Sequence, residues 1–165
     1  MKSVPVLHTD RCTLAAITSE DIPMLREILE DQETQRFLPE LCIEFKKSDS
    51  LPQFIAAFDR YLLQDEGILW GIRLEGDLIG FIAIMDITAC PCLFYAVHSR
   101  YRNQHIMAES FPVVIDYLDS NHVCSELNTE VIIQNIASLK LLASKGFTQT
   151  DTNGKVLYLK KSFSL

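Results

Sequence analysis

At 165 residues, 48% of them hydrophobic and 22% charged, the chain has the size and balance of one folded domain whose core closes without disulfides or metal. With 22 acidic against 15 basic side chains and a formal charge of −7, it lacks the basic excess that nucleic acid selects; the acidity either simply keeps the protein soluble, the preferred reading, or suits cationic or amine ligands. No apolar run approaches the roughly 18 residues of a bilayer span, and MKSVPVLHTDR at the start has no signal-peptide centre, so a cytoplasmic protein without a membrane partner is expected.

Five cysteines, Cys12, Cys42, Cys90, Cys92 and Cys124, form an odd set, which fits a reduced compartment better than a disulfide framework. Only Cys90 and Cys92 are close together. No second Cys or His pair completes a ligand set, so no metal is expected, and Cys90-Pro91-Cys92 reads as a turn organised by Pro91.

In chain order, Arg11 to Ile17 has the apolar, β-branched character of a strand. Thr18-Ser19-Glu20-Asp21 then supplies N-cap residues and early acids for a helix to about Leu29, with Ile22, Leu25, Ile28 and Leu29 on one face. Asp31 to Phe37 predicts a further short helical turn, ended by Pro39. Pro39 to Ser50 is an apolar loop that either covers a cleft or packs on the domain. Leu51 to Leu63 is predicted helical, with Phe54, Ile55, Phe58, Tyr61 and Leu62 as a core stripe. Strands at Ile68 to Leu74 and Leu78 to Ile87, joined at Glu75-Gly76-Asp77, continue into a strand at Leu93 to Val97 as an antiparallel meander.

The polar, basic loop His98 to His105 leads into an amphipathic helix, Ile106 to Leu118, which Pro112 is expected to kink. A strand that delivers the chain to a helix N-terminus exposes unpartnered amides, and Arg100 and Arg102 precede that corner, so an anion such as phosphate is a natural ligand there. Asn121 and His122 read as the helix stop. Ser125 to Ile133 is predicted as a strand and Asn135 to Lys145 as a helix capped at Gly146; Phe147 to Thr150 and Val156 to Lys160 pair through Asp151-Thr152-Asn153-Gly154. The order βαα, βββ, α, β, α, ββ predicts a single α/β domain over residues 1–165, with a mixed, mostly antiparallel sheet and a parallel crossover around the central helix.

These pieces, in this order, resemble the GNAT N-acetyltransferase superfamily, and within it the branch of ribosomal-protein N-terminal acetyltransferases. TDRCTLAAITSEDIPMLREILEDQETQRFLP resembles that branch's first strand and helix, WGIRLEGDLIGFIAIMDI its central hairpin, and YRNQHIMAESFPVVIDYL its acetyl-CoA loop and helix. Asn135-Ile136-Ala137-Ser138 with Leu139, Leu142 and Gly146-Phe147 is similar to its N-x-x-S helix followed by Gly-Phe. The likeness covers nearly the whole chain. It implies a GNAT-like domain with helices on both faces of the sheet and central strands splayed apart around acetyl-CoA as co-substrate.

On that resemblance, Tyr95, Ala96 and Val97 supply the edge that pairs with pantetheine, and Arg102, Asn103, Gln104, His105, Ile106, Met107 and Ala108 wrap the pyrophosphate. Asn135 sets its amide against the pantetheine arm or, on its position alone, caps the helix. His105 and Met107 stand where the family's loop, Q/R-x-x-G-x-G/A, has small residues. Leu142 stands where many members place an acidic tyrosine, so Ser138, near the CoA sulfur, inherits the candidacy for protonating the thiolate; its alternative is a backbone-bonded helix hydroxyl.

The implied reaction is direct attack of a neutral primary amine on the thioester, with the Val97 amide polarising the carbonyl and a base removing the ammonium proton. Asp86, His98 and Glu130 are the candidates for the base, and His98 is preferred because histidine ordinarily titrates near neutrality. The expected activity is acetyl-CoA-dependent N-acetyltransfer to a small amine or a protein N-terminus. The alternatives are a GNAT-fold binding or regulatory protein with an altered phosphate loop, and an enzyme using a different acyl-CoA. An oligomer is compatible with either.

Overall fold

The near-continuous apolar run from Gly67 to Met85 can be buried only if both of its faces are covered, and the fold does that with two layers of helix. A computed structural model of the chain describes residues 3–39 and 50–163. Its strands are β1 (Leu7–His8), β2 (Cys12–Ala15), β3 (Gly67–Leu74), β4 (Asp77–Met85), β5 (Cys92–Val97), β6 (Glu126–Ile132), β7 (Thr148–Thr152) and β8 (Val156–Ser162). They form one eight-stranded sheet in the order β1-β2-β3-β4-β5-β6-β8-β7, antiparallel except where β5 meets β6.

The helices are α1 (Ile22–Glu30), α2 (Gln32–Phe37), α3 (Ser50–Leu63), α4 (Ile106–Ser120) and α5 (Ile136–Ser144). On one face, Leu25, Ile28 and Leu29 of α1 and Leu51 and Phe58 of α3 pack with Leu69, Leu78 and Phe81 of the sheet. On the other, Ile106, Phe111, Val114 and Leu118 of α4 and Leu142 of α5 pack with Trp70, Ile82 and Ile84. The α/β architecture with helices on both faces matches the sequence expectation.

Turn chemistry was legible as well. Glu75 and Gly76 take positive φ of 52° and 92° and join β3 to β4, and Gly146 (φ 85°) ends the segment after α5. The predicted elements differ in places. The two-residue β1 was not expected, and β7 runs on through Asp151 and Thr152, which were read as turn. Pro112 lies inside the helix Ile106–Ser120. The connection before β5 turns on Asp86, whose carbonyl accepts from the Ala89 and Cys90 amides at 3.0 and 2.9 Å, rather than on Pro91. Residues 40–49 of the apolar loop, with Cys42, lie outside the described residues.

The start of α1 is fastened to the sheet by one ion pair. Asp21 accepts the Thr18 amide at 2.8 Å in a capping box, and it receives both Arg73 terminal nitrogens at 2.8 and 2.6 Å. Arg73 also donates to the Ala16 carbonyl at 3.0 Å. Burial alone would raise the Asp21 pKa, but the hydrogen bonds from Arg73 and Thr18 outweigh it and hold the carboxyl below its usual range. A depressed folded-state pKa means that the pair's contribution is complete above the ordinary aspartate value of about 3.9 and is lost as pH falls through the lower folded value. Asp21→Asn is expected to cost about 2 kcal/mol at pH 7 and to lose less stability than wild type on acidification below about pH 4. Denaturant titrations across that range measure both, and an unchanged pH slope in the variant would reject the linkage.

Candidate active site

β5 pairs along its whole length with β4, but β6 meets it only at Cys92 and Asn128. There the Asn128 amide donates to the Pro91 carbonyl at 2.7 Å, and the buried Thr129 hydroxyl donates to the Leu93 carbonyl at 2.9 Å, closing the narrow end of a wedge. Peptide groups alternate sides along a strand, so Tyr95 and Val97, in phase with Pro91 and Leu93, turn their N–H and C=O groups into the gap. The opposite phase faces β4. The His98 amide donates to the Ile79 carbonyl at 2.7 Å, and the Ala96 carbonyl lies so near Gly80 that a Cβ there would come within 2.7 Å of it.

The gap widens into a cleft of about 410 Å³ enclosed by β5, the loop before α4, β6, the first turns of α5 and one side of α2. After a 3-10 turn at Ser99–Tyr101, the loop passes through left-handed Asn103 (φ 58°) and His105 (φ 60°). Asparagine and histidine are among the few side chains that tolerate this region. The first intrahelical bond of α4 runs from the Glu109 amide to the His105 carbonyl at 3.0 Å, which leaves the amides of Ile106, Met107 and Ala108 without intrahelical partners at the cleft wall. Ile106 and Met107 send their side chains into the core, and His105 keeps the backbone conformation a glycine would adopt.

Arg11, which no sequence pattern singled out, holds this loop from behind. Its guanidinium donates to the Gln104 carbonyl at 2.8 Å and to Glu109 at 2.7 Å, while Glu109 also accepts the Arg11 amide at 2.8 Å and the Thr9 hydroxyl. Burial pulls the Glu109 pKa upward, but the Thr9 and Arg11 donors outweigh it and hold the carboxylate low. Its charge in the first turn also suits the helix dipole. Some ninety residues separate these partners, and no local signal announces them.

Arg102 is engaged elsewhere. Its guanidinium clamps the α1–α2 junction, with Asp31 at 2.5 Å, Thr34 at 3.1 Å and Glu33 at 2.7 Å. Asp31 meanwhile caps α2 by accepting the Glu33 and Thr34 amides at 3.1 and 3.0 Å. Burial would raise the Asp31 pKa, but Arg102 and Thr34 outweigh it and keep the carboxyl low. The α2 side of the cleft is formed by Glu33, Thr34, Phe37 and Leu38.

The sequence-predicted residues divide as follows. Tyr95, Ala96, Val97, Arg102, Asn103, His105, Ile106, Met107, Ala108, Asn135 and Ser138 all border the cleft. Gln104 is exposed beside it and donates through its side chain to the Arg100 carbonyl at 2.9 Å. Asn135 caps α5 by accepting the Ser138 amide at 3.3 Å, so the capping alternative holds while the residue still borders the cleft. His98 is buried outside the cleft lining. Its Nδ1 accepts the Arg100 amide at 3.2 Å, which assigns the proton to Nε2, 2.9 Å from Glu27, and neither nitrogen offers a lone pair to the cleft. Asp86 sits in the β4–β5 turn, whereas Glu130 on β6 borders the cleft.

The cleft thus lies where a parallel strand pair opens beside a helix N-terminus. Residues 11–148 match the model of the acetyltransferase (GNAT) domain, and the chain belongs to the GNAT acetyltransferase family. Among solved structures it resembles RimL, a ribosomal-protein α-N-acetyltransferase in complex with coenzyme A, with a TM-score of 0.82 at 13% identity over 96% of this chain and 98% of that one. Mycobacterium smegmatis RimJ in complex with CoA-disulfide gives 0.75 at 17% identity over 96% and 86%. A spermidine N-acetyltransferase chimera of Vibrio cholerae SpeG and hSSAT gives 0.74 at 12% over 93% and 96%. No curated protein matches the sequence. Among the described residues, no helix is long and apolar enough to cross a membrane.

Because Arg102 joins the loop to α2 through partly buried charges, Arg102→Ala is expected to cost about 2 kcal/mol and to speed amide exchange selectively over residues 31–38. Unchanged exchange there would show that the clamp contributes nothing to holding α2.

Proposed function

We propose that this chain transfers an acetyl group from acetyl-CoA to a primary amine, either a small amine or a protein N-terminus, by direct attack. The observation that carries this reading is the unpaired edge at Tyr95 and Val97, which opens into the same cleft as the free amides of residues 106–108. The first suits the amide-bearing arm of CoA and the second its pyrophosphate, since a helix N-terminus presents donors and partial positive charge. Left-handed His105 preserves the turn that glycine ordinarily supplies, so the chain's own residues fit the group without a glycine at that position.

Acetyl-CoA supplies the activated thioester. In this reading the Val97 amide polarises its carbonyl, and Ser138, in the first turn of α5, attends the departing sulfur. On the acceptor side the cleft carries Glu130 beside apolar Phe37 and Leu38. Its carboxylate attracts an ammonium group and, in this reading, takes its proton directly or through water in place of His98, which does not line the cleft. The chain's excess of acidic residues agrees with a cationic acceptor. The cytoplasm is the compartment proposed, on the cysteine usage and the supply of acetyl-CoA.

A binding or regulatory role without catalysis is the second reading, favoured by one observation: Arg102 is already held by Asp31 and Glu33. Calorimetric titration with acetyl-CoA and CoA separates the two. Micromolar binding of both, followed by acetylation of a peptide N-terminus or a polyamine, is the expected outcome. Absence of binding to either sinks the acetyltransfer reading, and binding of a longer acyl-CoA alone would change the donor. Glu130→Gln should raise the KM for the amine about tenfold while leaving acetyl-CoA affinity within about twofold, as loss of one charge-assisted contact predicts.

A further inference from the structure

The side chain of Tyr95 leaves β5 at the wedge and stands edge-on to Phe111 of α4, with ring centroids 4.9 Å apart. Its hydroxyl is sealed from solvent and has no hydrogen-bond partner of ordinary geometry, and Tyr95 is one of the residues that line the cleft. Ser138 is its polar neighbour across the gap. An orphan hydroxyl costs stability, and phenylalanine would fill the same ring site without that cost. The other buried hydroxyl without a partner among the described residues, Ser110, lies on α4 outside the cleft lining. Leu142, where a helix-borne acid would stand, is fully buried in the core.

We propose that the Tyr95 hydroxyl is the proton donor to the departing CoA sulfur, with Ser138 relaying a replacement proton from solvent. The proposal rests on the acetyltransfer reading above. As the amine nitrogen bonds to the thioester carbon, the carbon–sulfur bond breaks and its electron pair goes to sulfur. The Tyr95 proton moves to that sulfur and gives the free thiol; the surplus proton on nitrogen leaves on the Glu130 side. The phenolate regains its proton through the half-buried Ser138, which connects the sealed oxygen to water. Burial pushes the Tyr95 pKa up to about 12, with Ser138 pulling slightly the other way, so the group is protonated across the working range. The same desolvation raises the basicity of a thiolate lodged beside it and keeps the transfer between matched partners.

Tyr95→Phe is the test, read by kcat, KM, thermal midpoint and binding of two ligands. Expected are a fall in kcat of about 100-fold, a KM for acetyl-CoA within about twofold of wild type, and a thermal midpoint equal to or above wild type, because an unpaired buried hydroxyl has been removed. At pH 9, where the thiolate forms, CoA should bind the variant about tenfold more weakly while desulfo-CoA, which lacks the sulfur, binds equally. Ser138→Ala should lower kcat less, and the double variant should be no slower than Tyr95→Phe alone. A kcat within about twofold of wild type in Tyr95→Phe, or a loss that comes with a lower midpoint and equal weakening of both ligands, overturns the assignment. Wild-type protein that binds neither CoA nor desulfo-CoA overturns the acetyl-CoA reading itself, and the donor with it; wild type that binds and turns over while the variant matches it overturns the donor alone.

Discussion

The site depends on a parallel strand pair that hydrogen-bonds at one end only. β5 is held to β4 from Cys92 to Val97, and β6 is held to β8 from Glu126 to Ile132, so each strand follows the twist of its own half of the sheet. The halves meet at Cys92 and Asn128 and then diverge. Thr129 secures the vertex by donating to Leu93, which keeps the wedge from unzipping further. An unpaired strand edge inside a protein is costly unless something occupies it, and here the edge opens on the cleft.

The amides at the start of α4 are presented by a loop whose shape is set from both sides. Asn103 and His105 supply left-handed turns from within, and Arg11 fixes the Gln104 carbonyl from the β2 edge of the sheet. Where the resemblance expects small residues, the chain has a side chain tolerant of positive φ at 105 and one at 107 that points into the core. Glycine permits close backbone approach, but its absence does not remove the backbone donors.

Charge is sorted across the cleft. The helix N-terminus makes one wall electropositive, whereas Glu130 adds a carboxylate to another. Arg102 also lines the cleft, with its charge committed to Asp31 and Glu33, so the loop and the α2 wall are mechanically joined. Displacement of one would be felt by the other through that guanidinium, which has two carboxylate partners on a single short helix and its cap.

Local chemistry determined a great deal here. Apolar spacing marked α1, α3 and α4, Glu75-Gly76 and Gly146 marked turns, and the pattern from Cys92 onward marked a strand, a loop and a helix, because each rests on residues close in sequence. The resemblance singled out Tyr95–Val97, the 102–108 loop, Asn135 and Ser138, and all of these but Gln104 border one cleft. Only the tertiary structure decided the rest. Whether His98 faces a substrate or a glutamate seventy-one residues away, whether Arg102 holds phosphate or α2, and whether the Tyr95 hydroxyl finds a partner depend on how distant elements pack. Hydrogen bonds of that kind join groups with no fixed sequence separation, so periodicity and local propensity carry no record of them.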